Sequence, residues 1–208
     1  MIYKNNEKYD LNIGVNKVIP NHSTFPIFVE YIENTQQNWF SIPIYQSLGV
    51  DYIVKVTASV TQSIGNTALF VGYYNGIGFS VRKRFAFSAG SDYVDGIPID
   101  MNHIYDFMLY RDSNNYRCCK IGNYMLQGTP NTSVDNKIGI FHQQEYSGYH
   151  KGKIFLIIVY RNGDVVNELR PCLSVENGHI NEPSLYDCIE DKYYYNEGVG
   201  TFSVGNRI

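Results

Sequence analysis

The chain is a succession of short apolar or alternating segments separated by turn residues, and this pattern constrains its fold more than any other feature. A period of two residues turns one side of a segment toward a core, whereas no comparable window carries the 3.6-residue apolar stripe of a helix. The pattern is typical of an all-β, two-sheet antiparallel sandwich. The segments predicted as strands are 28–32, 39–42, 52–60, 67–74, 79–87, 104–111, 116–121, 137–142, 153–161, 164–173 and 193–195.

Three segments carry most of this prediction. Asn162-Gly163 supplies the two positive φ values of a type I′ turn and therefore predicts a hairpin between the flanking strands. The run Ile154–Tyr160 is continuously apolar, so its strand is expected deep in the sandwich. In Tyr52–Val60, Ile53 falls on a different face from Val54 and Val56, which implies a second layer over that strand.

The length of 208 residues, 44% of them hydrophobic, suits one domain. Nineteen Tyr and eleven Phe are typical of a β-rich chain. Residues 1–28 differ from the rest, because a polar start is followed by Pro20 and Pro26. This segment is read either as an arm that docks on something else or as an edge strand of the same domain. Residues 29–208 are expected to form the domain itself.

The charge pattern gives no reason to expect nucleic acid as a partner. The net charge is −3, and the densest basic group is Arg82-Lys83-Arg84, which is read as a solvated strand end. The first residues lack the apolar stretch of a signal peptide, and no segment is long enough to cross a bilayer. We therefore expect a protein made in the cytosol, without membrane insertion.

Four cysteines are few for this length and fit a reducing compartment. The adjacent Cys118 and Cys119 point to opposite faces of a strand, so at most one is expected in the core. A bridge between Cys172 and Cys188 stays open. No metal site is predicted, because there is no C-x-x-C pair and the five histidines are scattered. Calcium also stays open, since loop oxygens bind it without a recognisable spacing.

Three segments together resemble the concanavalin A-like, laminin G-like jelly roll of phage virion structural proteins, especially those of phages of gut Bacteroidetes. They are Glu30–Thr35 with Trp39–Pro43, Ile157–Cys172, and Ser184–Asp187 with Lys192–Gly205. The resemblance implies a jelly roll, and the arm read from residues 1–28 would then be a virion-attachment segment. It does not choose among lectins, glucanases and structural modules, all of which use this fold.

The last of these segments is expected to close the fold. A large tyrosine ring seals the end of the sandwich, an aspartate accepts hydrogen bonds from the following turn, and two glycines let the backbone fold back and deliver a phenylalanine to the core. The residues with these roles are Tyr186, Asp187, Gly198, Gly200 and Phe202.

No catalytic residue and no cofactor is predicted. Glucanases of this fold place paired carboxylates along one strand, whereas the nearest pairs here, Asp92-Tyr93-Val94-Asp95 and Glu190-Asp191, lie in stretches that read as turns. There is no Gly-x-Ser-x-Gly elbow. The glycine-rich stretch Gly72–Gly78 lacks the Lys-Ser/Thr ending of a phosphate loop and reads as a hairpin turn.

Two Tyr-rich loops mix aromatic rings with amide and carboxylate groups, which suits either a glycan or a neighbouring subunit. The second loop, 142–150, is long and polar and lies between two apolar strands, which makes it the better candidate. The candidate contact residues are Tyr73, Tyr74, Asn75, Gln143, Gln144, Tyr146, Tyr149 and His150.

These observations predict a non-enzymatic virion surface protein, namely a capsid decoration, head-fibre or tail-fibre component that mediates attachment or assembly. Its partners would be other virion proteins and further copies of itself, assembled in the host cytoplasm. A lectin-like adhesin for host surface polysaccharide is the alternative, and a glycoside hydrolase is the less favoured third.

Overall fold

The structure, a computed structural model, describes residues 3–4, 7–8, 25–35, 38–43, 50–62, 68–73, 77–81, 85–89, 92–97, 100–114, 116–128, 138–141 and 151–208. Across these ranges the regular elements are β-strands and no helix occurs, which confirms the all-β prediction. The strands form one large and one small antiparallel sheet, beside a hairpin of Tyr3–Lys4 (β1) and Glu7–Lys8 (β2).

The large sheet has eleven strands among the described residues. Its main path, in spatial order, is Tyr124–Gly128 (β13), Arg117–Ile121 (β12), Ile104–Arg111 (β11), Tyr52–Gln62 (β6), Lys151–Arg161 (β15), Asp164–Leu173 (β16), Pro183–Asp187 (β17) and Lys192–Tyr194 (β18). Three short strands join it from the side, namely Ile27–Phe28 (β3) on β16, Ile32–Asn34 (β4) on β15, and Ser203–Val204 (β19) on β4.

Strand β15 lies between β6 and β16, which confirms that the apolar run Ile154–Tyr160 occupies a central strand. Its inward side chains, including Ile157 and Val159, are fully buried. The turn that follows has φ values of 49° at Asn162 and 91° at Gly163. Both are positive, as a type I′ hairpin requires, so this prediction is also confirmed.

The small sheet runs, in spatial order, through Asp92–Ile97 (β10), Phe85–Ala89 (β9), Ile77–Val81 (β8), Ala68–Tyr73 (β7), Ile138–Ile140 (β14) and Phe40–Ile42 (β5). Strands β7 and β8 pair across the glycine-rich stretch, as predicted.

Two predictions fail in this sheet. The segment 79–87, predicted as one strand, is divided between two antiparallel strands, β8 and β9. The prediction was wrong because the residues between these strands include no Gly, Pro or Asn to signal a break. Asp92–Asp95 was read as a turn but belongs to strand β10, which pairs with β9. The β-forming pair Tyr93-Val94 prevails over the weak strand preference of the aspartates.

The buried cluster draws on both sheets. Phe40 of the small sheet stacks on Phe202 near the C-terminus, with ring centroids 4.4 Å apart and ring planes 4° from parallel. Cys119 belongs to this cluster and Cys118 does not, although both are buried. At most one of the two cysteines was expected in the core. Only Cys119 belongs to the cluster, but Cys118 is buried as well, which was not expected.

The C-terminal segment is held against strand β4 and the residues just before it. Beyond the β19–β4 pairing, Gly205 donates a backbone hydrogen bond to the carbonyl of Tyr31, and Glu30 donates one to the carbonyl of Asn206. The Asn206 side chain in turn contacts the Glu30 carboxylate at 3.2 Å. Sequence-distant ends of the described domain are thus joined edge to edge.

Candidate functional site

A groove of about 590 Å³ crosses the face of the large sheet that points away from the buried cluster. Its position follows from strand alternation. In β6 the side chains of Val54 and Val56 are buried, so Lys55 and Thr57 project to the opposite face. The groove runs over β12, β11, β6 and β15 and is lined by Lys55, Thr57, Asp106, Phe107, Met108, Lys120, Gly122, Leu156, Ile158 and Tyr160.

Strand register places these side chains in lateral rows. In one row Met108 lies opposite Lys120 on one side and Lys55 on the other, and Lys55 is followed by Ile158. The parallel row runs from Asp106 through Thr57 to Leu156. The first row therefore alternates polar and apolar groups across the groove, whereas the second places a polar pair beside one apolar side chain.

Two contacts order the middle of the groove. The Thr57 hydroxyl donates a 2.7 Å hydrogen bond to Oδ1 of Asp106. The Lys55 ammonium lies 4.9 Å from the centroid of the Tyr160 ring, within the range of a cation–π contact. A volume of this size with an apolar floor and a few convergent polar groups is within the range of sites that bind small molecules.

The described lining of the groove holds one carboxylate and two ammonium groups. Glycoside hydrolysis uses two carboxyl groups facing one another across the bond, whereas Asp106 is the one carboxylate of the described lining and is engaged by Thr57. Lys55 and Lys120 outnumber it and are both exposed. The groove is therefore weakly cationic.

A second, smaller pocket of about 300 Å³ lies at one end of the large sheet. Its lining includes Glu190 and Tyr194, and burial together with the neighbouring Glu190 raises the pKa of Tyr194 to about 12. The adjacent Asp191 instead accepts a hydrogen bond from the hydroxyl of Tyr186, which lies on the other face of the sheet. The Glu190-Asp191 pair lies in a turn, as predicted, and its two carboxylates diverge.

A tyrosine cluster covers the outer face of β17 and β18. The rings of Tyr186 and Tyr193 lie 4.9 Å apart, and Tyr195 stacks on His179 at 4.1 Å. The Tyr195 hydroxyl donates a 2.5 Å hydrogen bond to Glu176, and burial, followed by this bond, raises the pKa of Tyr195. The contacts of Tyr195 with Glu176 and His179 hold the loop 174–182 against the sheet.

The predicted contact residues fall almost wholly outside the described part of the chain. Tyr73 is the last residue of β7. The others, which the structure does not describe, are Tyr74, Asn75, Gln143, Gln144, Tyr146, Tyr149 and His150. Their role in binding stays a prediction.

The fold-closing residues can be placed. The carboxylate of Asp187 accepts hydrogen bonds from the backbone N–H groups of Ile189 and Glu190, the turn contact expected of it. Phe202 is buried. Gly198 and Gly200 both contact the Asn196 side chain, which also accepts a hydrogen bond from the backbone of Trp39. Asn196 thus anchors the glycine turn, a role that the sequence did not single out.

The groove residues were missed as well. Alternation alone indicates that Lys55 and Thr57 share an outward face, but it does not reveal that β11 and β12 lie beside β6.

The four cysteines are free thiols, so Cys172 and Cys188 are not bridged. Within the described ranges, no group of three or more His, Cys, Asp or Glu side chains is arranged to hold a metal ion.

No protein-family model matches the chain, and no curated protein matches it significantly. In the described residues there is no helix of the length and apolarity needed to cross a membrane.

Proposed function

We propose that the chain is a jelly-roll sandwich of the concanavalin A-like, laminin G-like kind that phages carry on their virions. The buried cluster combines residues of both sheets, and strand contacts link β13 with β9 and β10 at one edge and β18 with β5 at the other. Two sheets stacked with their edges in register would produce these contacts.

The three resembling segments also meet in space, which supports a shared fold. Strand β4 pairs with β15 and with β19, β16 pairs with β17, and Asn196 bonds to Trp39. Segments separated by more than a hundred residues in sequence thus form one structural unit. This convergence is the observation that carries the proposal.

The proposed role is attachment or assembly on the virion surface, as a capsid decoration, head-fibre or tail-fibre component without enzymatic activity. Residues 1–28 or one sheet face would hold the particle, and many copies would act together. The diverging Glu190-Asp191 pair and the lone carboxylate of the groove support binding over hydrolysis.

Locating the chain in purified particles tests this role. An antibody raised against the recombinant chain, used for immunogold electron microscopy, is expected to label particles at regular positions on the head or tail. A pre-immune serum is the control. Detection of the chain only in the soluble fraction of infected cells would contradict the proposal.

A lectin-like adhesin is the second candidate, and the groove favours it. Saccharides are bound by aromatic or apolar faces combined with hydrogen-bonding side chains, and the groove offers Tyr160 and Met108 beside Thr57 and Asp106. Multiple copies would make weak contacts effective. Binding of polysaccharide without release of reducing ends would support this candidate, whereas depolymerisation would establish an enzyme.

A further inference from the structure

We propose that the groove on the large sheet binds an acidic polysaccharide, a sugar polymer that carries carboxylate or sulfate groups. The inference rests on the lectin-like candidate above and names its ligand class. It is carried by the way the strand register combines two ammonium groups, one hydroxyl–carboxylate pair and an apolar floor.

The two lysines provide the charge. Lys55 and Lys120 flank Met108 as its register partners on opposite sides, so their backbones are two strand spacings, or about 10 Å, apart. Both side chains are exposed. In the part of the chain that the structure describes, no carboxylate forms an ion pair with either ammonium group. An anionic ligand would therefore not compete with a protein carboxylate for either ammonium group, although Lys55 also contacts the Tyr160 ring.

The apolar floor and the central pair provide the sugar contacts. Met108, Ile158 and Leu156 lie between or beside the polar groups and match the C–H faces of pyranose rings. Asp106 accepts a hydrogen bond from the Thr57 hydroxyl through Oδ1. A carboxylate can accept several hydrogen bonds, so Asp106 has further acceptor sites for a ligand. The hydroxyl groups of a saccharide are the donors that such a site needs.

These same groups argue against two other anionic partners. Nucleic acid binding relies on many phosphate contacts by lysine and arginine, whereas two lysines, a carboxylate in the floor and a net charge of −3 oppose it. An acidic peptide would bring further carboxylates toward Asp106, and its backbone offers one N–H donor per residue where a sugar offers several hydroxyl groups. A polymer that carries both charges and hydroxyls satisfies the whole set.

Affinity electrophoresis and calorimetry with polygalacturonate, dextran sulfate and neutral dextran test the inference. We expect binding of polygalacturonate, weaker in high salt because the lysines act through screened charge. The double variant Lys55→Gln with Lys120→Gln is expected to lower this affinity about tenfold, which corresponds to about 1.4 kcal/mol. Lys192→Gln, an exposed lysine on the edge strand β18, is the matched control and should bind as the wild type does.

The outcomes separate the inference from the function on which it rests. Equal binding of dextran and polygalacturonate would overturn the acidic specificity and retain the lectin-like candidate. Binding of no polysaccharide would overturn both. Unchanged affinity in the double lysine variant, with native unfolding behaviour, would place the site elsewhere on the molecule. Tighter binding of a single-stranded oligonucleotide than of polygalacturonate would identify a different ligand class and overturn the inference.

Discussion

The amide group of Asn167 donates a 2.6 Å hydrogen bond to the carboxylate of Asp187, and both side chains are buried. The same carboxylate accepts the backbone N–H groups of Glu168 and of Ile189. A single acidic side chain therefore joins β16 to β17 and also holds the turn that leads into β18. Buried donors of this kind are costly to leave without an acceptor.

Asp187→Ala is expected to lower the free energy of unfolding by about 2–4 kcal/mol, because it removes the acceptor from Asn167 and from the backbone donors of the turn. Guanidinium unfolding followed by tyrosine fluorescence measures the change. Asp164→Ala, at an exposed hairpin position, is the control and should stay within about 0.5 kcal/mol. Equal losses in the two variants would refute this role of Asp187.

Gly205 is packed against the Tyr31 ring, and a Cβ atom at this glycine would lie 2.8 Å from Cε1 of Tyr31 and 2.9 Å from Cβ of Glu30. Gly205→Ala should therefore cost about 1–3 kcal/mol of unfolding free energy through steric overlap. In the background of Tyr31→Ala the cost should fall, because two of the three close contacts involve that ring. An additive double-mutant cycle would show that the ring is not the obstacle.

Replacement of Asn196 is expected to destabilise the fold, because both the oxygen and the nitrogen of its side-chain amide form hydrogen bonds. Its Oδ1 accepts from the backbones of Trp39 and Gly198, while its Nδ2 donates to the carbonyls of Gly198 and Gly200. Asn196→Asp retains the acceptor but turns a carboxylate toward two carbonyl oxygens. We expect both Asn196→Asp and Asn196→Ala to lower the free energy of unfolding by at least about 1 kcal/mol, as measured by thermal unfolding. An Asn196→Asp variant with unchanged stability would contradict the assigned contacts.

Stability should fall at alkaline pH through Tyr194. Burial raises the pKa of its phenol to about 12 from 10.0, so the unfolded chain loses this proton first as the pH rises. The contribution is complete below pH 10 and is lost progressively between pH 10 and about pH 12. Tyr194→Phe should flatten this part of the profile of unfolding free energy against pH. An unchanged profile would assign the alkaline transition to other groups.

The thiols should differ sharply in reactivity. Cys118, Cys119 and Cys172 are buried and Cys188 is exposed, so native protein should take up one maleimide and unfolded protein four, as counted by intact mass. Although the residue is exposed to solvent, partial desolvation of its thiol, together with the carboxylates of Glu168 and Asp187, raises the pKa of Cys188 to about 11, so its labelling should accelerate as the pH rises. Cys188→Ser removes the native adduct, and a remaining adduct would indicate exposure of another cysteine.

Residue alternation and turn residues, which are read from neighbouring positions in the sequence, predicted the bounds of some strands. Strand β11 at Ile104–Arg111 and strand β16 at Asp164–Leu173 have the bounds that alternation and the Asn162-Gly163 turn predicted. The reversal between β8 and β9 was missed, because nothing in its residue types requires a positive φ or a proline.

The groove was beyond prediction for a different reason. Thr57 and Asp106 are 49 residues apart, and their contact depends on which strands become neighbours. Strand alternation tells which side chains share a face of one strand, but the lateral order of strands is set by packing of the whole sheet. Lys120 entered the site in the same way, through pairing of β12 with β11.

The bond between Glu30 and Asn206 spans 176 residues of sequence. Contacts this distant carry a large loop-closure cost and slow the search for the native state. During translation, β4 is synthesised long before its pairing strands β15 and β19. A ribosome-bound nascent chain would therefore hold an incomplete sheet with an unpaired edge. Such an edge is a site of intermolecular association, and yields of correctly folded protein should therefore depend on temperature and on chaperones during synthesis.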